Sequence, residues 1–330
     1  MRPPGTLLLS RSDVEALMPF PEYLRAVEEA FRLHAEGKTL APAMMHVDAE
    51  DGEFHIKAGG FRRDRCYFAL KVNGGFFHNR ERFGMPNIQG AILLADGENG
   101  HPLAVMDSGE ITRKRTSAAA AVAAKYLAKP ESSVVTVCGY GVQAREQLRA
   151  MHAIFRLERA YVWGSNLIKA ETFASEFSEA LNIPVIATES LKRAVGESDI
   201  CVTCTPARQF YLPRECVRPG TFIAAIGADS PEKQELDPGL LRVSKVVVDV
   251  LEQCARAGEL HHALALGMRK EDVHAELGEV IAGRKPGRTS RDEVFVFDST
   301  GTALQDVVAA AAVYERALAR QSGTTFDFYR

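Results

Sequence analysis

Apolar and polar positions recur with two different periods along this chain, and the change from one to the other divides it. Ser12 and Asp13 precede Val14, Leu17 and Met18 at helical spacing. Pro21 then opens a second helix carrying Leu24, Val27 and Phe31, with a stop near Gly37. From residue 54 to 107 the period shortens: apolar runs at 67–72, 88–94 and 103–106 alternate with turn pairs such as Asp96-Gly97 and Asn99-Gly100. That pattern predicts an antiparallel β-rich segment. An alanine-rich helix at 116–128 follows, closed by Lys129-Pro130.

Beyond that helix, strand and helix alternate regularly. Strands are predicted at 134–138, 160–163, 184–187, 200–205, 222–226, 245–250 and 294–297, with helical patterns such as 144–155 and 170–180 between them. Their β-branched runs read as buried on both faces, the signature of a doubly wound parallel sheet. A last amphipathic, alanine-rich helix at 303–319 either caps this sheet or returns to the first lobe. The predicted fold class is α/β, a Rossmann-type doubly wound parallel sheet plus an N-terminal α+β domain.

Size and charge narrow the function. A chain of 330 residues exceeds what one hydrophobic core usually organises, so two lobes are expected. Forty Lys and Arg against 43 Asp and Glu leave a net charge of -3, which gives no basis for gripping nucleic acid or an acidic membrane. No run approaches the ~18 apolar residues of a spanning helix, and Leu7-Leu8-Leu9 is too short for a signal core, so the cytoplasm is the expected compartment. Several of the six cysteines sit in apolar segments, and a disulfide framework is not expected. Cys201 and Cys204 form a C-x-x-C inside a strand pattern, and His261-His262 are adjacent on a helix; neither reads as a metal site, and no metal is expected.

The first chemical signal is Gly139-Tyr140-Gly141-Val142-Gln143-Ala144, a Gly-x-Gly-x-x-Ala loop between a strand and a helix. Its glycines permit a tight turn and let the backbone approach a pyrophosphate, which then sits at the positive helix N-terminus. A dinucleotide is therefore the expected cofactor. NAD sites usually place Asp or Glu about 20 residues further on to bind the ribose 2′-hydroxyl. Here Ser165, Asn166 and Lys169 follow the second strand instead, which favours NADP over NAD. Lys169 reads equally well as a solvated helix residue.

With Lys71-Val-Asn-Gly-Gly, Gly84-Met-Pro-Asn-Ile-Gln-Gly90, Ile111-Thr-Arg-Lys-Arg-Thr116 and Gly227-Ala-Asp-Ser-Pro-Glu-Lys233 in order along it, the chain resembles the ornithine cyclodeaminase/mu-crystallin family. The resemblance implies that 1–118 and 303–330 form a substrate-binding and dimerisation domain, and that 119–302 is the dinucleotide-binding domain. It also implies a homodimer. Known activities of that family share hydride exchange between nicotinamide and a carbon bearing nitrogen.

Carried onto this sequence, the resemblance makes Lys71 the group that binds a substrate carboxylate or reacting oxygen, and Asp229 its acid/base partner. It places Asn87 at the substrate, Arg115 and Thr116 between substrate and cofactor phosphates, and Val142 and Gln143 on the pyrophosphate turn. Thr205, Lys233, Ser299 and Thr300 fall near the cofactor. From its neighbours Leu70 and Val72 alone, Lys71 reads equally as an outward-facing edge lysine. The chain departs from ornithine-cyclising members at Met44, where they carry an arginine for the α-carboxylate. It departs again at His55 and Lys57, where relatives have a carboxylate and a methionine. A thioether cannot replace a bidentate guanidinium, so either Lys57 together with Lys71 binds the carboxylate or the pocket takes a bulkier, less charged substrate.

The function expected on this basis is that of an NAD(P)-dependent amino-acid dehydrogenase or imine reductase acting on a small amino acid or cyclic imine. The alternatives are ornithine cyclodeaminase, forming proline and releasing ammonia, and a non-catalytic protein binding nucleotide or a small ligand.

Overall fold

The structure, a computed structural model, describes residues 5–328. In chain order its first elements are β1 (Thr6–Leu9), α1 (Arg11–Leu17), α2 (Phe20–Ala35), β2 (Thr39–Ala49), β3 (Gly52–Arg62), β4 (Cys66–Gly75), α3 (Asn79–Phe83), β5 (Ile88–Asp96), β6 (Pro102–Asp107) and α4 (Ser108–Leu127). The alternating part follows with β7 (Val134–Cys138), α5 (Val142–Ile154), β8 (Arg159–Trp163), α6 (Leu167–Leu181), β9 (Val185–Ala187), α7 (Leu191–Glu197), β10 (Ile200–Thr203) and β11 (Phe222–Ala225). After it come α8 (Pro238–Leu241), β12 (Lys245–Val248), α9 (Leu251–Ala257), α10 (Glu259–Ala265), β13 (Ala275–Glu276), α11 (Leu277–Ile281), β14 (Phe295–Asp298), α12 (Ala303–Arg320) and β15 (Thr324–Phe326). Two compact units result, one from the chain up to Arg115 and from Thr302 onward, the other Thr116–Gly301. The division falls within α4.

In the first unit a seven-stranded sheet runs β15-β1-β6-β5-β4-β3-β2. Its strands β2 to β6 pair antiparallel, as the alternation with Asn/Gly turns predicts. The amphipathic α12 packs on β3 and β4 and against α2. Gly59 allows this close approach, since a Cβ there would stand 3.0 Å from that of Ala303. The strand β2 has no counterpart in the sequence reading. Pro42 interrupts its pattern and the pairing with β3 shifts between Leu40 and Ala43, which an edge strand tolerates because its outer N–H groups need no partner.

In the second unit the eight strands run β13-β12-β14-β11-β10-β7-β8-β9, and every neighbouring pair is parallel. The order β9-β8-β7-β10-β11 is the doubly wound arrangement, with its switch point between β7 and β10. Strands β10, β11 and β14 are wholly buried, which accounts for their apolar runs. Cys201 lies in this sheet core, and all six cysteines are free. Among the described residues no helix is long and apolar enough to cross a membrane.

Candidate active site residues

In the first unit a row of side chains crosses the sheet. Met44 pairs with Lys57, Lys57 with Lys71, and Lys71 with Ile92, so one face carries two lysines directly opposite each other. Lys71 is no edge lysine: β4 lies inside the sheet and the residue is 2 % exposed. Lys57 is also buried, whereas Met44 on the edge strand is exposed. Like charges facing each other are unfavourable, and α12 supplies the compensation.

Thr302 caps α12 through its hydroxyl, and Asp306 stands in the first turn, where the helix dipole favours an anion. The Lys71 ammonium lies 2.6 Å from Asp306 Oδ2. Arg115, at the unit's end of α4, donates from Nε to Asp306 Oδ1 at 2.9 Å and from Nη1 to Gln305 Oε1 at 3.0 Å. Burial pushes the Asp306 carboxyl up, but Arg115, Lys71 and Lys57 together hold it below the ordinary value. Burial pushes the Lys71 ammonium down to about 7, the charge of Arg115 adds to that, and Asp306 only partly offsets it. Beside this group Asn73 donates to Thr112 and accepts from Ser108.

Asp306 and Gln305 were missed by the sequence reading. Their signal was a polar pair inside the buried apolar run Leu304 to Ala311, a setting that polar side chains occupy only when paired. Asn87 serves its own loop, accepting from the Arg80 backbone N–H at 3.1 Å.

In the second unit the Gly-rich loop takes the form a dinucleotide needs. Gly139 sits at φ +119°, and a Cβ there would stand 3.3 Å from the Cys204 carbonyl oxygen at the end of the neighbouring β10. Gly141 begins the 13-residue α5 with no side chain capping it, and no atom lies within 4 Å of where its Cβ would be. The first N–H groups of the helix are thus open to an anion. Val142 is exposed on this turn, and Gln143 presents a buried Oε1 with no hydrogen-bond partner. A pyrophosphate fits this cradle. Gly139→Val should weaken NADH binding about ten- to hundredfold, because a β-branched residue is strained at that φ. Fluorescence titration is the check, and unchanged affinity would refute the assignment.

Past β8, Asn166 spends its side-chain oxygen capping α6, accepting from Lys169 N at 3.0 Å. The Ser165 and Tyr140 hydroxyls lie 3.1 Å apart, and Lys169 is exposed. Thr116 lies on α4, its carbonyl oxygen 3.5 Å from Gln147 Nε2.

Along the carboxyl edge of this sheet, hydroxyls placed by the sequence near the cofactor are tied to buried carboxylates. Thr205 donates its N–H and its hydroxyl to Glu235 Oε1 at 2.6 and 2.7 Å, and Glu235 Oε2 accepts from Gly227 N at 2.9 Å. Asp249 accepts from Ser299, Thr300 and the Gly301 N–H at 2.7–3.2 Å. Glu259 in turn holds the N–H groups of Glu235 and Leu236, and Asp298 holds that of Leu260. Burial raises the carboxyls of Glu235 and Glu259 and pushes Asp298 up to about 7. These acids clamp the loops that line the edge.

On one of those loops Asp229 is partly exposed, its Oδ1 2.6 Å from Lys233 Nζ. His262 lies with its Nε2 2.9 Å from the Lys233 carbonyl oxygen.

The family model for the ornithine cyclodeaminase/mu-crystallin family matches residues 5–321. Alanine dehydrogenase of Archaeoglobus fulgidus is 40% identical over 327 residues, covering 98% of this chain and 99% of the relative. A solved archaeal alanine dehydrogenase dimer with bound NAD superposes with a TM-score of 0.92 at 40% identity, over 98% of this chain and 99% of that one. Thermococcus litoralis Δ1-pyrroline-2-carboxylate reductase, solved with NADH and L-proline, also gives 0.92, at 36% identity over 97% of this chain and 100% of the other.

Proposed function

The chain belongs to the ornithine cyclodeaminase/mu-crystallin family, and on that premise we propose that it is an NAD(P)-dependent oxidoreductase acting at the C–N bond of an amino acid or cyclic imine. The observation that carries this reading is the buried group Lys57, Lys71, Arg115 and Asp306. Burying cations in low dielectric is costly unless anions accompany them, and a substrate carboxylate adds such an anion beside Lys71. The names of the two relatives agree, since alanine and pyrroline-2-carboxylate each bear a carboxylate on a carbon bonded to nitrogen.

A nicotinamide dinucleotide held at the N-terminus of α5 supplies the hydride acceptor or donor when bound. Within this chain, Lys71 and Lys57 hold the carboxylate and fix the α-carbon. Asp306 holds the Lys71 ammonium in place, and Arg115 fixes Asp306. Asp229 is the acid/base group of the second unit. The absence of a carboxylate after β8 supports acceptance of NADP(H), alongside the NAD(H) named for the two solved relatives.

The exposed apolar residues Leu40, Met44, Met45 and Val47 on edge strand β2 support a homodimer, which light scattering checks. Free cysteines throughout support the cytoplasmic compartment.

The decisive assay offers alanine, proline and ornithine with NAD+ and NADP+, and cyclic imines with NADH and NADPH. Stoichiometric change of nicotinamide absorbance is the expected result. Ammonia release without net change would make the chain a cyclodeaminase, and tight nucleotide binding without turnover would make it a binding protein.

Lys71 also predicts a pH dependence. As pH rises through about 7 its ammonium is lost, so KM for the carboxylate substrate should rise and binding at pH ~8 should take up a proton. Between about 7 and the ordinary 10.5 the unfolded chain holds this proton and the folded chain does not, so the same group makes folding more favourable as pH rises. Calorimetry in buffers of different ionisation enthalpy reads the uptake; its absence would remove Lys71 as the carboxylate's partner.

A further inference from the structure

The register of the β2–β3 hairpin assembles a second group that neither the dinucleotide nor the carboxylate uses. His46 and His55 stand directly opposite each other, and Glu53 lies two positions from His55. The period of a strand puts Glu53, His55 and Lys57 on one face, with His46 joining them across the pair. His55 Nε2 is 2.9 Å from Glu53 Oε1, and His46 Nε2 is 3.6 Å from Glu53 Oε2. The two imidazoles meet edge to face with centroids 4.7 Å apart. One ligand atom from each of the three residues falls within 4.8 Å of the others.

Two imidazoles and a carboxylate form a donor set suited to zinc and its first-row neighbours. At bond lengths of about 2.0–2.1 Å, a tetrahedral ion spaces its ligand atoms about 3.3 Å apart. The separations to Glu53 straddle that value. Closing the widest pair to it requires His46, whose side chain is 36% exposed, to turn inward. Asp48, with Oδ1 3.0 Å from the same His46 Nε2, is in reach as a fourth ligand.

We propose that His46, His55 and Glu53 form a binding site for a divalent transition-metal ion of the zinc class, clipping edge strand β2 to β3. The pairs weighed in the sequence, Cys201 with Cys204 and His261 with His262, are neighbours along the chain. This group exists only because an antiparallel register brings position 46 to position 55.

The test uses the full chain, dialysed against chelator and titrated with ZnCl2 by calorimetry and with CoCl2 by visible absorption. One ion per chain and an intense tetrahedral cobalt spectrum displaced by zinc are expected. His46→Gln and His55→Gln should each weaken zinc binding roughly 100-fold, with NADH binding retained as proof that the chain is folded. Glu53→Gln, which keeps the side-chain shape, should weaken it as well. Failure of the native chain to bind zinc, or binding that survives both histidine substitutions, overturns the site. Neither result touches the oxidoreductase reading, which rests on other residues.

Discussion

Lys71→Met should lower kcat/KM for the best amino-acid or imine substrate by about 10²–10³-fold while leaving NADH affinity intact. Methionine fills nearly the same volume but carries no charge, so what is lost is the ammonium next to the substrate carboxylate. The folded state should tolerate the change. Lys71 is buried among Arg115 and Lys57, and removing one of the mutually repelling cations leaves Asp306 still bonded to Arg115. Steady-state kinetics and a melting curve on the same preparation decide the matter. Activity within tenfold of the native chain would show that the carboxylate is held elsewhere, whereas a large drop in melting temperature would make Lys71 a structural residue.

Asp306→Ala should have the largest effect on stability. Asp306 is 1 % exposed, forms an ion pair with Lys71 and accepts from Arg115, so its removal leaves two buried cations without their shared anion. Breaking a buried ion pair in this way costs about 3–5 kcal/mol. For a unit of this size that corresponds to a fall in Tm of roughly 10 °C. The double variant Lys71→Met, Asp306→Ala should regain part of the loss, because one of the stranded charges is then gone. A single-variant loss below about 1 kcal/mol, or a double variant that is simply additive, would show that the three groups are not coupled.

Much of the second unit could be read in advance for a local reason. A buried strand, a glycine turn and a helix start follow one another between Val134 and Ile154, and each is dictated by residues a few positions apart. Asp229 and Lys233 pair four positions apart, a local contact that the sequence reading did not draw. The hydroxyls of Thr205, Ser299 and Thr300 lie just past the carboxyl ends of β10 and β14. Their inward bonds to Glu235 and Asp249 were not legible, since these carboxylates come from other loops.

What the chain's own pattern determined is therefore the dinucleotide cradle and the two-part α/β architecture, because periodicity and backbone freedom act over short stretches. Tertiary structure alone decided which charges meet. Lys71 gains its depressed ammonium, and Asp306 its role, only when α12 packs on β3 and β4 and brings Asp306 to Arg115, 191 positions away in sequence. Burial and the field of neighbouring charges arise from that packing, and no local stretch of sequence carries them.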